Sequence, residues 1–203
     1  MKSLTQYISE KLVIKKNKTR DYKYFPETKE ELKDIIWERI KTEGKEVDLN
    51  DIDVSKITDM SFLFAYLDFN GNISEWDVSN VTNMSFMFNE CKFVNTDIST
   101  WNVSNVTDMN SMFYGCKSFN QDISNWDVSN VTDMRYMFFG CEDFNKDIYN
   151  WDISKVKNMQ AMFYGCSKFN KDISSWDVSK VKYVDNIFKG CKIEEKYKPK
   201  FSV

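Results

Sequence analysis

Apolar and polar residues follow one another along this chain in a pattern that restarts every 25 residues. Trp76, Trp101, Trp126, Trp151 and Trp176 mark the interval, and a period of this length signals stacked repeats. From Trp126 the phrase reads W-D-V-S-N-V-T-D-M-R-Y-M-F-F-G-C-E-D-F-N-K-D-I-Y-N. Across each junction runs I-x-x-W-x-V, as in Ile73-x-x-Trp76-x-Val78 and Ile148-x-x-Trp151-x-Ile153, with Leu49-x-x-Ile52-x-Val54 opening the series. Its last two apolar positions alternate, as a short strand requires, and copies laid side by side predict a parallel sheet with strands about 4.8 Å apart. In the V-T-D-M-x-x-M-F-x-G-C that follows, Met134, Met137, Phe138 and Cys141 fall at i, i+3, i+4 and i+7. That spacing predicts a helix of about two turns, with Thr132 as N-cap, Asp133 in the first turn and Gly140 near the stop. F-N-x-D-I reads as a turn. Columns of Met and Phe run through all copies, and the copy from Val54 to Val78 is one residue short.

I-x-x-W-x-V has the phase of L-x-x-L-x-L. The expected fold is therefore an α/β repeat, a leucine-rich-repeat-like right-handed solenoid of short parallel strands and short helices with an N-terminal helical cap. Three stretches follow: 1–48 as N-terminal segment and capping helix, 49–191 as the repeats, and 192–203 as a C-terminal tail that folds over the last coil or frays. In the first stretch Thr28-x-x-Glu31 is a capping box before Leu32, Ile35, Ile36 and Ile40, and Gly44 is a stop. This helix, about 28–43, covers the open end of the core. Leu4, Ile8 and Leu12 suggest a weaker helix. The basic run Lys11, Lys15, Lys16, Lys18 and Arg20 reads as a solvated linker or as a docking peptide for an acidic partner.

Composition narrows the chemistry. The chain has no histidine, which removes the commonest general base and metal ligand. No G-x-G-x-x-G or G-x-x-x-x-G-K-[ST] loop is present to cradle a phosphate. A formal net charge of −3 and a pI of about 5.2 argue against nucleic acid. No stretch has the length of a membrane span, and the N-terminus has neither a signal-peptide apolar region nor a lipidation cysteine. The expectation is a protein made in the cytoplasm, with virion or surface association by a non-classical route left open.

Four columns carry candidate chemistry. Cys91, Cys116, Cys141, Cys166 and Cys191 are odd in number and match no zinc spacing, so a buried ladder of small hydrophobes is favoured over metal or redox function. The Trp column reads as core rather than as a sugar-stacking platform. Asp53, Asp77, Asn102, Asp127, Asp152 and Asp177 occupy the outward position of each expected strand. They suit a basic partner or a cation, or else they bond to the Ser column beside them. Asp97, Asp122, Asp147 and Asp172 suit turns. Tyr149, which replaces Ser in its column, and Tyr114, Tyr136 and Tyr164 are exposed contact candidates.

The phrase W-D-V-S-N-V-T-D-M-x-x-M-F-x-x-C-x-x-F-N-x-D-I-S, over about 49–191, resembles the 25-residue branch of the BspA-like leucine-rich repeat proteins of bacterial surfaces. The resemblance implies a solenoid engaged in adhesion and protein binding, without catalytic residues. The opening M-K-S-L-T-Q-Y-I-S-E-K-L-V-I resembles, over about a dozen residues, the start of short proteins of tailed bacteriophages of gut bacteria. The expected function is a non-catalytic module that binds a protein partner through the strand face, at Asp53, Asp77, Asn102, Asp127, Asp152, Asp177 and Tyr149. No cofactor or metal is expected. The alternative is a structural component of a larger assembly, such as a phage particle, tethered by the N-terminal segment. Enzyme activity ranks behind both, because identical repeated Asp positions lack the contrasting environments that separate acid from base.

Overall fold

The computed structural model describes residues 21–201. The expected helix at Leu4, Ile8 and Leu12 and the basic run lie outside the described residues. Among the described residues there are one α-helix, α1 (Lys29–Glu43), and one 3-10 turn, Glu195–Tyr197. α1 starts where the capping box predicts. The Thr28 side chain accepts from the Glu31 N–H at 3.2 Å. The Glu31 carboxylate reaches back to the N–H of Glu27 at 2.8 Å, one residue outside the position a capping box prescribes. Gly44, at φ +91, closes the helix by donating its N–H to the Ile40 carbonyl. Leu32 and Ile36 are fully buried against the first coil. Arg39 fastens the helix there: its guanidinium donates to Asp51 Oδ1 and to the Asp48 carbonyl, each at 3.0 Å, and also to Glu43. Lys29 Nζ reaches Asp59 Oδ2 at 2.7 Å.

The repeat region overturns the predicted architecture. Residues 49–191 contain no sheet and no helix; the coils touch through isolated parallel bridges such as Asp108 with Asp133 and Asp133 with Asn158. The α/β, leucine-rich-repeat-like reading with short strands and two-turn helices is therefore wrong. Apolar residues three apart bracket tight turns instead. Trp126 N–H donates to Ile123 O (3.1 Å), Val131 to Val128 (2.9 Å), Met137 to Met134 (3.2 Å), Cys141 to Phe138 (3.0 Å) and Phe144 to Cys141 (3.2 Å). Both ends of each turn are buried. A three-residue spacing is common to a helix face and to a train of turns, so the hydrophobic pattern could not separate them.

Backbone bonding decides the matter. Met134, Tyr136, Phe138 and Gly140 send their N–H groups out of the coil, to Asn158, Gln160, Met162 and Tyr164 of the next one at 2.7–3.0 Å. A helix would need those same donors for its own carbonyls. The geometry also requires a left-handed residue inside each M-x-x-M turn: Phe62, Phe86, Ser111, Tyr136, Ala161 and Asn186, with φ between 50 and 59°. Each costs roughly 1–2 kcal/mol for a residue with a Cβ, offset in all but Asn186 of the last coil by the hydrogen bond its N–H makes to the neighbour.

The interior is a set of ladders. The five indoles 25 residues apart are 3–5 % exposed, with Trp76 stacked on Trp101 at 6.5 Å and Trp151 on Trp176 at 6.4 Å between centroids. Each indole N–H donates to a carbonyl of the preceding coil, as Trp126 does to Ile98 O at 3.1 Å. Phe88, Phe113 and Phe138 stack at 5.6 and 5.8 Å. A further ladder was not anticipated. The Oδ1 atoms of Asn70, Asn95, Asn120 and Asn145 each accept the backbone N–H of the next asparagine in line, at 2.8–3.1 Å, and Asn170 accepts that of Glu194 at 3.0 Å. The tail then crosses the last coil, where Tyr197 O accepts from the Ile173 N–H at 3.0 Å.

Candidate functional site

The predicted Asp column does share one side of the stack, but on turns rather than strands. Oδ1 of Asp53, Asp77, Asn102, Asp127, Asp152 and Asp177 accepts the N–H of the serine two residues on, at 3.0–3.2 Å. These are Asx turns. The Ser79 and Ser104 hydroxyls add bonds to Asp77 and Asn102 at 2.6 and 2.7 Å. The Ser154 N–H and hydroxyl hold the Asp152 carboxyl below its usual range, and the Ser179 hydroxyl and N–H do the same for Asp177. The Oδ1 of each side chain is thus committed to the coil, which leaves the second carboxylate oxygen, or Nδ2 in Asn102, outside the turn. The column before the Ile makes the same turn: Asp97, Asp122 and Asp172 accept from serine N–H groups at 3.0 Å, and Asp147 from Tyr149 at 3.2 Å. Tyr149 itself stands 54 % exposed beside Asp147 and Asp172. A third column, Asp59, Asn83, Asp108, Asp133 and Asn158, forms Asx turns at 2.8–3.0 Å on another side. Burial pushes the Asp133 carboxyl up there, against the pull of the Arg135 N–H and guanidinium, with Asp108 adding to the rise.

The cysteines lie in the interior as unpaired thiols. Cys91, Cys116, Cys141 and Cys166 are buried and Cys191 is half-buried. Each Sγ donates to a backbone carbonyl of the preceding coil, as Cys141 does to Phe113 O at 3.0 Å. Burial drives Cys91 up to about 12 and raises the other four, so none is poised as a thiolate nucleophile. Among the described residues no three Cys, Asp or Glu side chains converge on a point that would hold a metal ion. No described helix is long and apolar enough to cross a membrane.

A large concavity lies on the side built by M-x-x-M-F-x-G. It is an open groove of about 1190 Å³, lined by Tyr66, Phe86, Phe93, Tyr114, Tyr136 and Phe139, with Glu90, Asn110, Arg135 and Gln160 supplying polar groups. The turns explain it. The second residue inside M-x-x-M and the one after M-F recur at the same place in every coil; Phe86, Tyr136, Tyr114 and Phe139 stand partly exposed there, while Asn110 and Ser111 are buried at its base. Phe62 and Phe86 stack at 4.5 Å, Tyr114 and Phe139 at 4.6 Å, Phe139 and Tyr164 at 4.5 Å, and Tyr136 stands edge-on to Phe139 at 6.1 Å. The adjacent column is Tyr66, Glu90, Gly115, Gly140, Gly165 and Gly190, all at positive φ. From Gly115 onward it carries no side chains. Glu90 closes one end, its carboxylate lying 2.9–3.0 Å from where a Gly115 Cβ would stand. Burial and the Glu90 charge raise the Tyr114 phenol, which keeps it a neutral donor.

Sequence reasoning singled out Tyr114, Tyr136 and Tyr164 but not Phe62, Phe86, Phe93 or Phe139. The available signal was the aromatic content of positions that the repeat leaves outside its apolar columns. The groove and the Asp column are separate surfaces; no residue of the Asp column lines the groove.

Two overlapping stretches, residues 35–131 and 94–200, match the family described as Mycoplasma protein of unknown function, DUF285. The chain belongs to that family. Nothing among curated proteins or solved structures matches it.

Proposed function

We propose that this chain is a non-catalytic module that binds a protein partner through the aromatic groove. The carrying observation is a row of partly exposed Phe and Tyr rings, fixed by stacking, with Arg135 and Glu90 among them. Tyr, Phe and Arg are the residues enriched at the cores of protein interfaces, and rings held in place lose little entropy on docking. The likeness of the repeat phrase to the BspA-like branch of bacterial surface proteins supports adhesion as the setting. The groove, a surface separate from the Asp column, is the better binding face, because one oxygen of each Asp is engaged in its own turn. The alternative of an assembly component tethered by residues 1–20 rests on a segment outside the described residues, and no observed contact favours it. A photo-crosslinking amino acid at position 136, compared with one at position 152, tests the proposal. Partner peptides captured from position 136 and not from 152 support it; capture from 152 alone refutes it.

A further inference from the structure

The two ends of the stack are not equivalent. At the first coil α1 lies over the core, and Lys29 and Arg39 bond to Asp59, Ser61, Asp48 and Asp51. At the last coil the tail covers only part. In the coil before it, Met159, Ala161, Phe163 and Gly165 donate their N–H groups to Tyr183, Asp185, Ile187 and Lys189 at 2.8–3.0 Å. The equivalent donors of the last coil are Val184, Asn186, Phe188 and Gly190, and among the described residues these four N–H groups have no acceptor. They form a row in the register by which every earlier coil grips its neighbour.

Two further observations coincide with that row. Between it and the tail lies a concavity of about 930 Å³ whose apolar wall is Trp176, Ile187, Phe188, Pro199 and Phe201. Charge is also distributed unevenly. Residues 21–149 carry 24 acidic and 11 basic side chains, whereas residues 150–201 carry 6 acidic and 11 basic ones. Lys182 and Lys189 flank the row, and Lys196, Lys198 and Lys200 line the concavity together with Glu195; Lys196 pairs with Glu194 and Lys198 with Glu195, which leaves Lys182, Lys189 and Lys200 as the cations open to a partner.

We propose that the C-terminal end of the stack docks an acidic polypeptide segment that follows the turning path of a further coil. Its carbonyls at every second residue accept from Val184, Asn186, Phe188 and Gly190, an apolar side chain enters the concavity, and carboxylates meet the lysines. Main-chain bonds give the affinity and the pocket and charges the selectivity, as in strand addition to a sheet edge. A second copy meeting end to end would oppose donor to donor, and the first coil of another copy is covered by α1; neither fits. This surface is distinct from the aromatic groove and stands or falls without it.

The test uses the full chain and a capped synthetic peptide of residues 107–115, Thr-Asp-Met-Asn-Ser-Met-Phe-Tyr-Gly, carrying two added N-terminal aspartates. In that segment the carbonyls of Asp108, Asn110, Met112 and Tyr114 already accept this bonding pattern within the protein. Amide hydrogen exchange and backbone chemical shifts are followed on titration. Saturable binding that slows exchange at Val184, Asn186, Phe188 and Gly190, and that weakens at least tenfold in a Lys182→Glu, Lys189→Glu double variant, supports the proposal. Both lysines are solvent-facing, so the variant folds. Saturation that leaves those four amides unchanged overturns it, as does binding indifferent to the charge reversal. A heparin oligosaccharide that binds as tightly as the peptide, without moving the amides, also overturns it in favour of a plain polyanion surface.

Discussion

Replacing Asn120 isolates the ladder that holds successive F-N-x-D-I turns together. Its Oδ1 accepts the Asn145 N–H at 3.1 Å, and its own N–H donates to Asn95 Oδ1 at 2.9 Å. Asn120→Ala removes the first bond and keeps the second. A part-buried N–H left without its acceptor costs about 1–3 kcal/mol. Partial access of water at this site places the expectation in the lower half, about 1–2 kcal/mol. For a chain of this size that is a fall in Tm of roughly 2–8 °C. Asn120→Asp keeps an acceptor at the same place and is expected to cost less than half as much at neutral pH. Urea unfolding followed by tryptophan fluorescence measures both, and amide exchange at Asn145 locates the effect, since only that N–H loses its partner. If the Ala variant matches the parent within a few tenths of a kcal/mol, or if Asp is as damaging as Ala, the ladder is ornamental and the reasoning fails.

The remaining expectations concern thiols, glycines and acid. At pH 8 a thiol reagent labels half-buried Cys191 first, and the other four react only as the protein unfolds; rapid modification of all five in the folded state contradicts their burial. Gly71→Ala is expected to unfold the first coil, because a Cβ there lies 2.1 Å from the Val47 carbonyl oxygen, whereas Gly140→Ala meets nothing closer than 3.8 Å and costs only about 1–2 kcal/mol of left-handed strain. Comparative thermal melts distinguish the two, and equal losses would refute the contrast. Asp51 and Asp59 are part-buried, and Arg39 with Lys23 on one and Lys29 with Ser61 on the other outweigh burial and lower both carboxyls. Their contribution is fully present above about pH 4 and is lost as pH falls through the lowered folded values, so an acid titration should release α1 before the coils. Helix and tryptophan signals lost together would count against that order.

The sequence made some levels of structure legible and hid others. Thr28, Glu31 and Gly44 announce α1 because caps are local chemistry. The inward indoles and thiols are equally visible, since a 25-residue period leaves one apolar column per coil. The failure at Met134–Cys141 came from reading a three-residue apolar spacing as helical when paired turns share it. What selects turns is where alternate N–H groups find acceptors, and those acceptors lie about 24 residues on, beyond any local pattern. The left-handed Tyr136 and Ala161 are likewise imposed by that pairing and carry no sign of it in residue type. Asp127 and its column engage the serine two residues on mainly through its backbone N–H, a bond that residue type alone does not distinguish from one to the hydroxyl. The aromatic groove was half visible, through its tyrosines.

Each coil divides its backbone donors among its own turns, the coil that follows and, at Thr107, Thr132 and Lys157, the coil before, and the acceptors it offers are those it seeks one period later. The unit is therefore interchangeable. Excising one whole period leaves the flanking coils facing equivalent oxygens, and the copy from Val54 to Val78, one residue short, keeps the same bonds to its neighbour. Length in this molecule is modular, adjustable in steps of a single turn of the stack without redesign of either end.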